Sequence, residues 1–131
     1  MDTCRFFIEK IEDKNPVDNA GKMPLHWAAT NGHLDICRLF IETSEDKNPV
    51  DNDGYTPLHF AARFGHLDVC RFFIEQIVGK NPVANDGQTP LHWAARNGHL
   101  DICSLFIETS KDKNPVDNNG HTPFHFAAIP M

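Results

Sequence analysis

Histidines are the residues of this chain with the widest chemical range, and they recur at a fixed spacing. Three pairs are each separated by seven residues, namely His26 and His33, His59 and His66, and His92 and His99. Two imidazoles so spaced on one straight helix could share a zinc ion. A glycine precedes the second histidine of each pair, and we expect the chain to reverse there. A structural role is therefore favoured: the first histidine bonds the threonine three residues earlier and loop backbone, and the second bonds the neighbouring turn. Because Met23 replaces that threonine in the first copy, His26 is expected to be held less firmly.

Cysteines are the second candidates for chemistry. Cys4, Cys37, Cys70 and Cys103 follow one another at intervals of 33 residues. A cysteine–histidine nucleophile is conceivable, but catalysis requires one singular site, whereas these residues repeat. At helix-interior positions the thiols should be buried, protonated and inert. We expect no enzyme activity, no cofactor and no metal. Equivalent positions on stacked helices lie about 10 Å apart, beyond the roughly 7 Å that a disulfide spans. Reduced thiols indicate an intracellular protein, cytoplasmic or nuclear.

Residues 56–74 contain the elements that must position these side chains. Thr56 is a candidate helix N-cap, and Pro57 follows at the first helical position, where its missing N–H costs nothing. One apolar stripe then runs along Leu58, Ala61 and Ala62. Gly65 ends the first helix, which favours a positive φ there. A second helix with a broad apolar face follows, so the segment predicts two short helices joined by a tight corner.

This unit recurs along the whole chain. Met23-Pro24-Leu25-His26, Thr56-Pro57-Leu58-His59, Thr89-Pro90-Leu91-His92 and Thr122-Pro123-Phe124-His125 begin 33 residues apart, a period typical of stacked repeats. With the glycine–histidine pair that follows, the motif resembles the ankyrin repeat. The resemblance implies an all-α solenoid of helix-turn-helix units linked by β-hairpin-like fingers. One domain, 1–131, would comprise half repeats at 1–17 and 117–131 and whole repeats at 18–50, 51–83 and 84–116.

The fingers and the ends depart from the family pattern. Ala84 takes the place of an aspartate in the third finger, which predicts the loss of a side-chain bond to the turn. Both ends carry half repeats whose apolar faces have no polar capping unit. Either this is a piece of a longer array, or it is a short protein with frayed or partner-covered ends. We expect a monomer whose ends stack or continue into further repeats.

Net charge narrows the class of partner. The chain carries 12 Lys and Arg against 18 Asp and Glu, a formal charge of −6. Nucleic-acid binding calls for a basic face, so no nucleic acid is expected. Asp2, Arg5 and Glu9 argue against a signal peptide or a membrane span at the start. The expected partner is another protein.

Variation among the copies locates the expected binding surface. Constant positions build the stack, whereas variable ones are free to specify a partner. In ankyrin-like folds the fingertips and first helices line one concave groove. Tyr, Phe and Arg most often dominate interface energy, so Tyr55, Arg63, Phe64 and Arg96 are the expected central contacts; Phe64 could instead be a stray exposed aromatic. The wider expected surface adds Lys22, Asn31, Gln88 and Asn97.

An aromatic series follows the histidine of each motif. Its members are Trp27, Phe60, Trp93 and Phe126. Packing between neighbouring helices is the favoured interpretation. If the rings reach the groove they form an aromatic ladder, and Trp27 and Trp93 are therefore included among the candidate contacts.

Two other functions stay open. Ankyrin arrays can be hydroxylated on a finger asparagine, and the matching positions are Asn15, Asn48, Asn81 and Asn114. The proline that follows each one departs from the family's usual alanine. The third possibility is a passive spacer or a designed scaffold without a partner.

Overall fold

The computed structural model describes residues 19–43, 49–76, 82–110 and 114–127. These ranges contain seven helices and no strand. In chain order the helices are α1 (Pro24–Thr30), α2 (Leu34–Thr43), α3 (Pro57–Arg63), α4 (Leu67–Gln76), α5 (Pro90–Arg96), α6 (Leu100–Thr109) and α7 (Pro123–Ala127). The expected helical hairpins are therefore α1–α2, α3–α4 and α5–α6, with α7 as a further first helix.

Each first helix begins where the cap residues predict. In α3, the Thr56 hydroxyl oxygen accepts from the His59 backbone N–H at 3.3 Å, and Pro57 follows directly. α5 repeats the arrangement at Thr89, with a distance of 3.4 Å. α1 has Met23 at this position, and the first turn is closed there by a backbone bond from His26 N to Met23 O at 2.9 Å.

Glycines make the corner between the two helices of each hairpin. Gly65 has φ of 81° and Gly98 has φ of 75°, the left-handed region in which a side chain is strained. The corner lets His66 N donate to Ala61 O at 3.0 Å, and Cys70 N then donates to His66 O at 2.9 Å. The predicted positive φ at Gly65 is confirmed.

The helices form two layers. α1, α3, α5 and α7 pack side by side, as do α2, α4 and α6. Second helices bury the large rings of Phe73 and Phe106, whereas first helices bury paired alanines, namely Ala28, Ala29, Ala61, Ala62, Ala94 and Ala95. Small side chains bring the first helices closer together than the second helices. Closer spacing in one layer curves a stack toward that layer, so the first helices and the fingers beside them line its inner side.

The first histidine of each pair joins one repeat to the next. His59 is buried, and its Nδ1 accepts from the Thr56 backbone N–H at 3.1 Å. Its Nε2 donates to Gln88 O at 2.9 Å, across 29 residues. His92 bonds His121 O in the same way at 2.9 Å. The predicted bonds to the N-cap threonine and to loop backbone are both present.

Methionine stands in place of the N-cap threonine in the first copy, and the backbone bonds of the histidine are kept there. His26 is fully buried, and its Nδ1 accepts from the Met23 N–H at 3.0 Å. Its Nε2 lies 3.0 Å from Tyr55 O. His26 therefore keeps both backbone bonds and lacks only the hydroxyl contact that His59 and His92 make.

The second histidine bonds the preceding turn, as predicted. His66 Nε2 donates to Thr30 O at 2.8 Å, and His99 Nε2 donates to Arg63 O at 3.0 Å. Both acceptors are carbonyls at the end of a first helix, which lack an intrahelical donor. These bonds therefore satisfy helix ends while they tie neighbouring repeats together.

The fingers are tight turns held by aspartates. Asp51 N donates to Tyr55 O at 2.9 Å, and the Asp51 carboxylate accepts from the N–H groups of Asp53 and Tyr55, each at 2.9 Å. Ala84 makes no such side-chain bond, as predicted. Asp86 compensates in part, because its carboxylate accepts from Gln88 N at 3.0 Å.

Asparagines connect one finger to the next. Asn85 N donates to Asp53 O at 3.0 Å, and Asn118 N donates to Asp86 O at 2.9 Å. The Asn118 side chain adds a bond to Asn85 O at 2.8 Å. This row of bonds fixes the spacing between fingertips, which positions the variable side chains that follow.

Within the described ranges, no helix has the length and apolar character required to span a membrane.

Replacing Gly65 by alanine is expected to cost more than replacing Gly98. Positive φ costs an L residue about 1–2 kcal/mol at either site. A Cβ on Gly65 would lie 2.7 Å from Cε1 of His99, whereas one on Gly98 meets nothing within 4 Å. Gly65→Ala should therefore lose about a further 1 kcal/mol, the net value of the His99–Arg63 bond. Urea unfolding of both variants measures the difference, and equal losses would contradict the inter-repeat contact.

Stability should fall as the pH is lowered from about 6.5 to about 4. Burial lowers the pKa of His59 from 6.5 to about 4, and the bond to Gln88 O only partly opposes this shift. Between these values the unfolded chain binds a proton that the native chain does not, so acid favours unfolding. The stabilisation is complete above pH 6.5.

Urea midpoints measured across this range test the prediction. The slope against pH should decrease in His59→Gln and stay unchanged in the control His33→Gln, whose side chain is exposed. A parent protein with a flat profile over the same range would show that His59 does not titrate as the burial requires.

Candidate functional site

Cysteine chemistry has little support from the surroundings of the thiols. Cys37 and Cys70 are fully buried and Cys103 partly so. Burial raises the pKa of the Cys37 thiol to about 12 and raises the pKa of the Cys70 and Cys103 thiols as well. These thiols are therefore protonated at neutral pH, when they are poor nucleophiles. Cys4 lies outside the described residues.

Potential metal ligands do not cluster in the part of the chain that the structure describes. Among the residues that the structure describes, no three His, Cys, Asp or Glu side chains stand together in a geometry suited to a metal ion. Five of the six paired histidines, all except His33, instead direct their Nε2 atoms at backbone carbonyls. An open depression of about 400 Å³ is lined by Gly32 to Ile36 and Asp68, and it contains one histidine and two aspartates.

Aromatic rings and cations alternate along the inner layer. We call this set the aromatic–cation ladder; its members are Lys22, Trp27, Tyr55, Phe60, Arg63, Phe64, Trp93 and Arg96. Six of them come from first helices or from the residue directly after α3, and two, Lys22 and Tyr55, come from fingers. The ladder crosses three repeats, because each finger residue contacts rings on its own first helix and on the next.

Lys22 begins the ladder. Its Nζ lies 5.0 Å from the centroid of the Trp27 ring and 4.8 Å from that of Phe60. Both distances lie within the range in which a cation is attracted to an aromatic face. One finger lysine therefore joins the rings of α1 and α3.

Tyr55 occupies the equivalent position one repeat later. Its ring centroid lies 6.0 Å from that of Phe60 and 5.5 Å from that of Trp93. Its hydroxyl donates to the Asp86 carboxylate. Burial, and next the bond to Asp86, raise the pKa of the Tyr55 hydroxyl. Tyr55 is therefore a fixed, partly buried element of the ladder.

Two arginines meet at Trp93. The guanidinium carbon Cζ of Arg63 lies 4.9 Å from the centroid of the indole ring, and that of Arg96 lies 5.7 Å from it. Arg63 also lies 5.1 Å from the ring of Phe64. Both arginines are exposed. The Trp93 Nε1 atom is covered and has no acceptor among the described residues, which costs about 1–3 kcal/mol for a buried donor.

The two predicted asparagines hold helix ends. Asn31 Nδ2 donates to Trp27 O and Asn97 Nδ2 donates to Trp93 O, both at 2.8 Å. They remain exposed and flank the ladder. Gln88 lies partly buried in the third finger, where its Nε2 is 3.4 Å from Asp117 Oδ2. All ten residues expected to contact a partner are thus placed, and their contact with a partner stays a prediction.

The aromatic series does not share one environment. Phe60 is 8% exposed, as the packing interpretation requires, whereas Trp27 is 48% exposed and Trp93 is intermediate. Core packing is therefore wrong for Trp27. The difference follows from the fingers, because Lys22 and Tyr55 both contact Phe60. Phe64 is 46% exposed beneath the Arg63 guanidinium. The side chain of Phe126 lies outside the described residues.

Sequence reasoning missed Asp86 and the pairing of cations with rings. Asp86 stands at a turn position where it reads as an ordinary solvated aspartate, yet it bonds Tyr55 of the preceding finger. The one signal in the sequence was Ala84. Because the third finger lacks a turn aspartate at this position, its next carboxylate, that of Asp86, can take a different role.

The finger asparagines are visible at one copy only. Asn114 is exposed and stands directly before the buried Pro115. Asn15, Asn48 and Asn81 lie outside the described residues.

Comparison with known proteins identifies the repeat. A family model described as ankyrin repeats, in three copies, matches residues 1–86 and 73–129. A search of curated proteins gives no match. The family match covers almost the whole chain and agrees with the all-helical architecture of the described ranges.

Proposed function

The chain belongs to the ankyrin-repeat family, and from that premise we propose that it is a non-catalytic module that binds another protein on the aromatic–cation ladder. Ankyrin repeats generally mediate protein–protein interactions. The observation that carries the proposal is the exposure of Trp27, Arg63, Phe64 and Arg96 on one face. These are residue types that supply most of the energy at interfaces.

The scaffold supports this use of the face. Histidine bridges and the asparagine row fix the finger and helix backbones before any partner arrives. A preformed surface avoids part of the ordering cost of association. The charge of −6 and the recurrence of the same buried histidines in each repeat also favour a binding module over a nucleic-acid binder or an enzyme. We further propose that the protein acts inside the cell as a monomer.

Asparagine hydroxylation is the second candidate function. It is favoured by the exposure of Asn114, which an enzyme acting on the finger could reach.

Arg63→Ala combined with Phe64→Ala should weaken partner binding with little change in thermal stability. Both side chains are exposed, and hot-spot truncations cost about 1–4 kcal/mol, so Kd should rise at least about tenfold. A pull-down from native lysate identifies the partner, and titration with that partner gives Kd.

A matched control is Arg71→Ala with Val83→Ala, which also removes one exposed arginine and one exposed apolar side chain away from the ladder. Its binding should equal that of the parent. Equal capture of the same proteins by both variants would place the interface elsewhere, and no specific capture by the parent would favour a passive spacer.

Hydroxylation of finger asparagines predicts that the intact mass of natively expressed protein is raised by one oxygen atom for each modified asparagine. Asn114→Ala should remove one such increment, and Asn119→Ala, a finger asparagine at another register, should remove none. An unmodified mass contradicts hydroxylation.

A further inference from the structure

We propose that copies of this chain bind one another head to tail, with the surface around α7 of one copy seated on the first described finger of the next. We call that surface the α7 face; its members are Leu100, Asn118, Asn119, Gly120, Phe124 and His125. The inference goes beyond the proposed function, because it does not use the aromatic–cation ladder. Its basis is that this face repeats, atom for atom, the groups by which neighbouring repeats are joined inside the chain.

The α7 face exposes large apolar side chains at positions that the other repeats bury. Phe124 is 59% exposed, whereas Leu58 and Leu91, which have the same position in the period, are at most 2% exposed. Leu100 is 77% exposed, whereas the equivalent Leu67 is partly buried. Neighbouring exposed apolar side chains of this size mark surfaces that are completed by contact with another protein.

His125 adds an oriented hydrogen-bond donor to the same face. Its Nδ1 accepts from the Thr122 backbone N–H at 2.8 Å, so the proton lies on Nε2, as in His59 and His92. Those two rings each donate to a carbonyl 29 residues later. The ring of His125 is exposed, and no acceptor for its Nε2 occurs among the described residues. The donor that joins one repeat to the next is therefore in place and unused.

The finger beside α7 offers the complementary acceptors. Asn118 N donates to Asp86 O at 2.9 Å, and the Asn118 side-chain amide donates to Asn85 O at 2.8 Å. One repeat later the equivalent acceptors are the carbonyls of Asn119 and of Asn118 itself. Within the described ranges neither carbonyl accepts a hydrogen bond. Two acceptors thus point outward at the spacing that receives an asparagine.

Space for that asparagine is present as well. A Cβ built on Gly87 would lie 2.5 Å from Oδ1 of Asn118, because the asparagine of the next finger packs directly on the glycine. A Cβ on the equivalent Gly120 meets nothing within 4 Å. The α7 face therefore has the shape, the acceptors and the donor of an inter-repeat contact.

The first described finger of a second copy supplies the matching asparagine. Asn19 has the same position in the period as Asn118, and it is exposed. Its carbonyl accepts from the Asn52 side chain, whereas its own side-chain amide makes no bond in the described part of the chain. In the register of the internal contacts, the Asn19 backbone N–H would donate to Asn119 O and its side chain to Asn118 O of the preceding copy.

The same register brings a carbonyl to His125. Lys22 has the position of Tyr55 and Gln88, whose carbonyls each accept two bonds. Tyr55 O accepts from Asp51 N and from His26, and Gln88 O accepts from Ala84 N and from His59. Lys22 O can therefore accept from His125 of another copy in addition to a bond within its own finger. One rigid placement satisfies both the finger and the helix.

A second copy is favoured over a partner of another fold because this placement continues an existing contact. The spacing between finger and helix is already correct in a chain with the same period. Since the two faces differ, each pairing leaves one α7 face and one first finger open, which gives head-to-tail chains of copies. Two copies lose translational freedom on association, unlike repeats of one chain, so we expect a Kd of about 0.1–1 mM. The protein then stays monomeric at micromolar concentration, as proposed above.

Sedimentation velocity of the full chain, with a thiol reductant present, tests the inference. The weight-average mass should be at least about twofold larger at about 1 mM than at about 0.02 mM, and dilution should reverse the change. A mass that does not depend on concentration would overturn the inference.

Two matched variants locate the contact. Phe124→Glu should abolish self-association, because it places a charge in the apolar part of the α7 face. Phe64→Glu makes the same exchange at a phenylalanine that is 46% exposed on the ladder, and it should associate like the parent. Loss of association in both variants would assign it to exposed rings in general and overturn the inference.

Complementation between variants separates head-to-tail contact from other modes. Asn19→Glu sets a carboxylate against the carbonyls of Asn118 and Asn119 and should also be monomeric at about 1 mM. An equimolar mixture of Asn19→Glu and Phe124→Glu should form dimers and nothing longer, because only one intact pair of faces remains. Self-association of Asn19→Glu alone would indicate that two α7 faces pair with each other. That result, or a mixture that stays monomeric, would overturn the inference.

Discussion

The structure depends on a hydrogen bond from a buried imidazole to the next repeat. Nδ1 of His26, His59 or His92 accepts from the N–H at its own helix start, and Nε2 reaches a carbonyl 29 residues later. Both bonds suit only the neutral ring protonated at Nε2, because Nδ1 must accept. Burial enforces that state at His59, whose pKa falls to about 4. The same atoms that cap one helix therefore set the position of the following finger.

The acceptors of these bonds explain how a constant scaffold presents variable side chains. They are the carbonyls of Tyr55, Gln88 and His121, which occupy the most variable position of the repeat. The histidine bond fixes the carbonyl oxygen at this position, whereas the side chain of the same residue can differ from one repeat to the next. Tyr55 is consequently placed between the rings of Phe60 and Trp93, one on its own helix and one on the next. The Tyr55 position in the ladder follows from this register, because the bond from His26 to the Tyr55 carbonyl does not involve the variable side chain.

Sequence alone predicts the parts of the fold that depend on backbone chemistry. The period, the threonine caps, the positive φ of Gly65 and both kinds of histidine bond follow from residue type and spacing. Exposure of the aromatic series does not, since Trp27 and Phe60 occupy the same position in the period yet differ in what the neighbouring finger places above them. The Tyr55–Asp86 bond was also not predicted, because it joins residues 31 apart in different repeats and Ala84 is the one indirect signal for it in the sequence. Side-chain packing between repeats, rather than any single repeat, decides these features.

Electrostatics and packing act on the same few atoms of the ladder. An isolated guanidinium on a surface loses rotamer freedom when it pairs with a carboxylate, which is why exposed ion pairs contribute little. Arg63 is already restrained by two rings, so part of that loss is incurred on folding and not on binding. The rings are restrained in turn by Tyr55 and by the histidine bridge beneath it. A side chain that is ordered before contact loses less freedom when a partner binds, and this gives the exposed face of the first helices a basis for specificity.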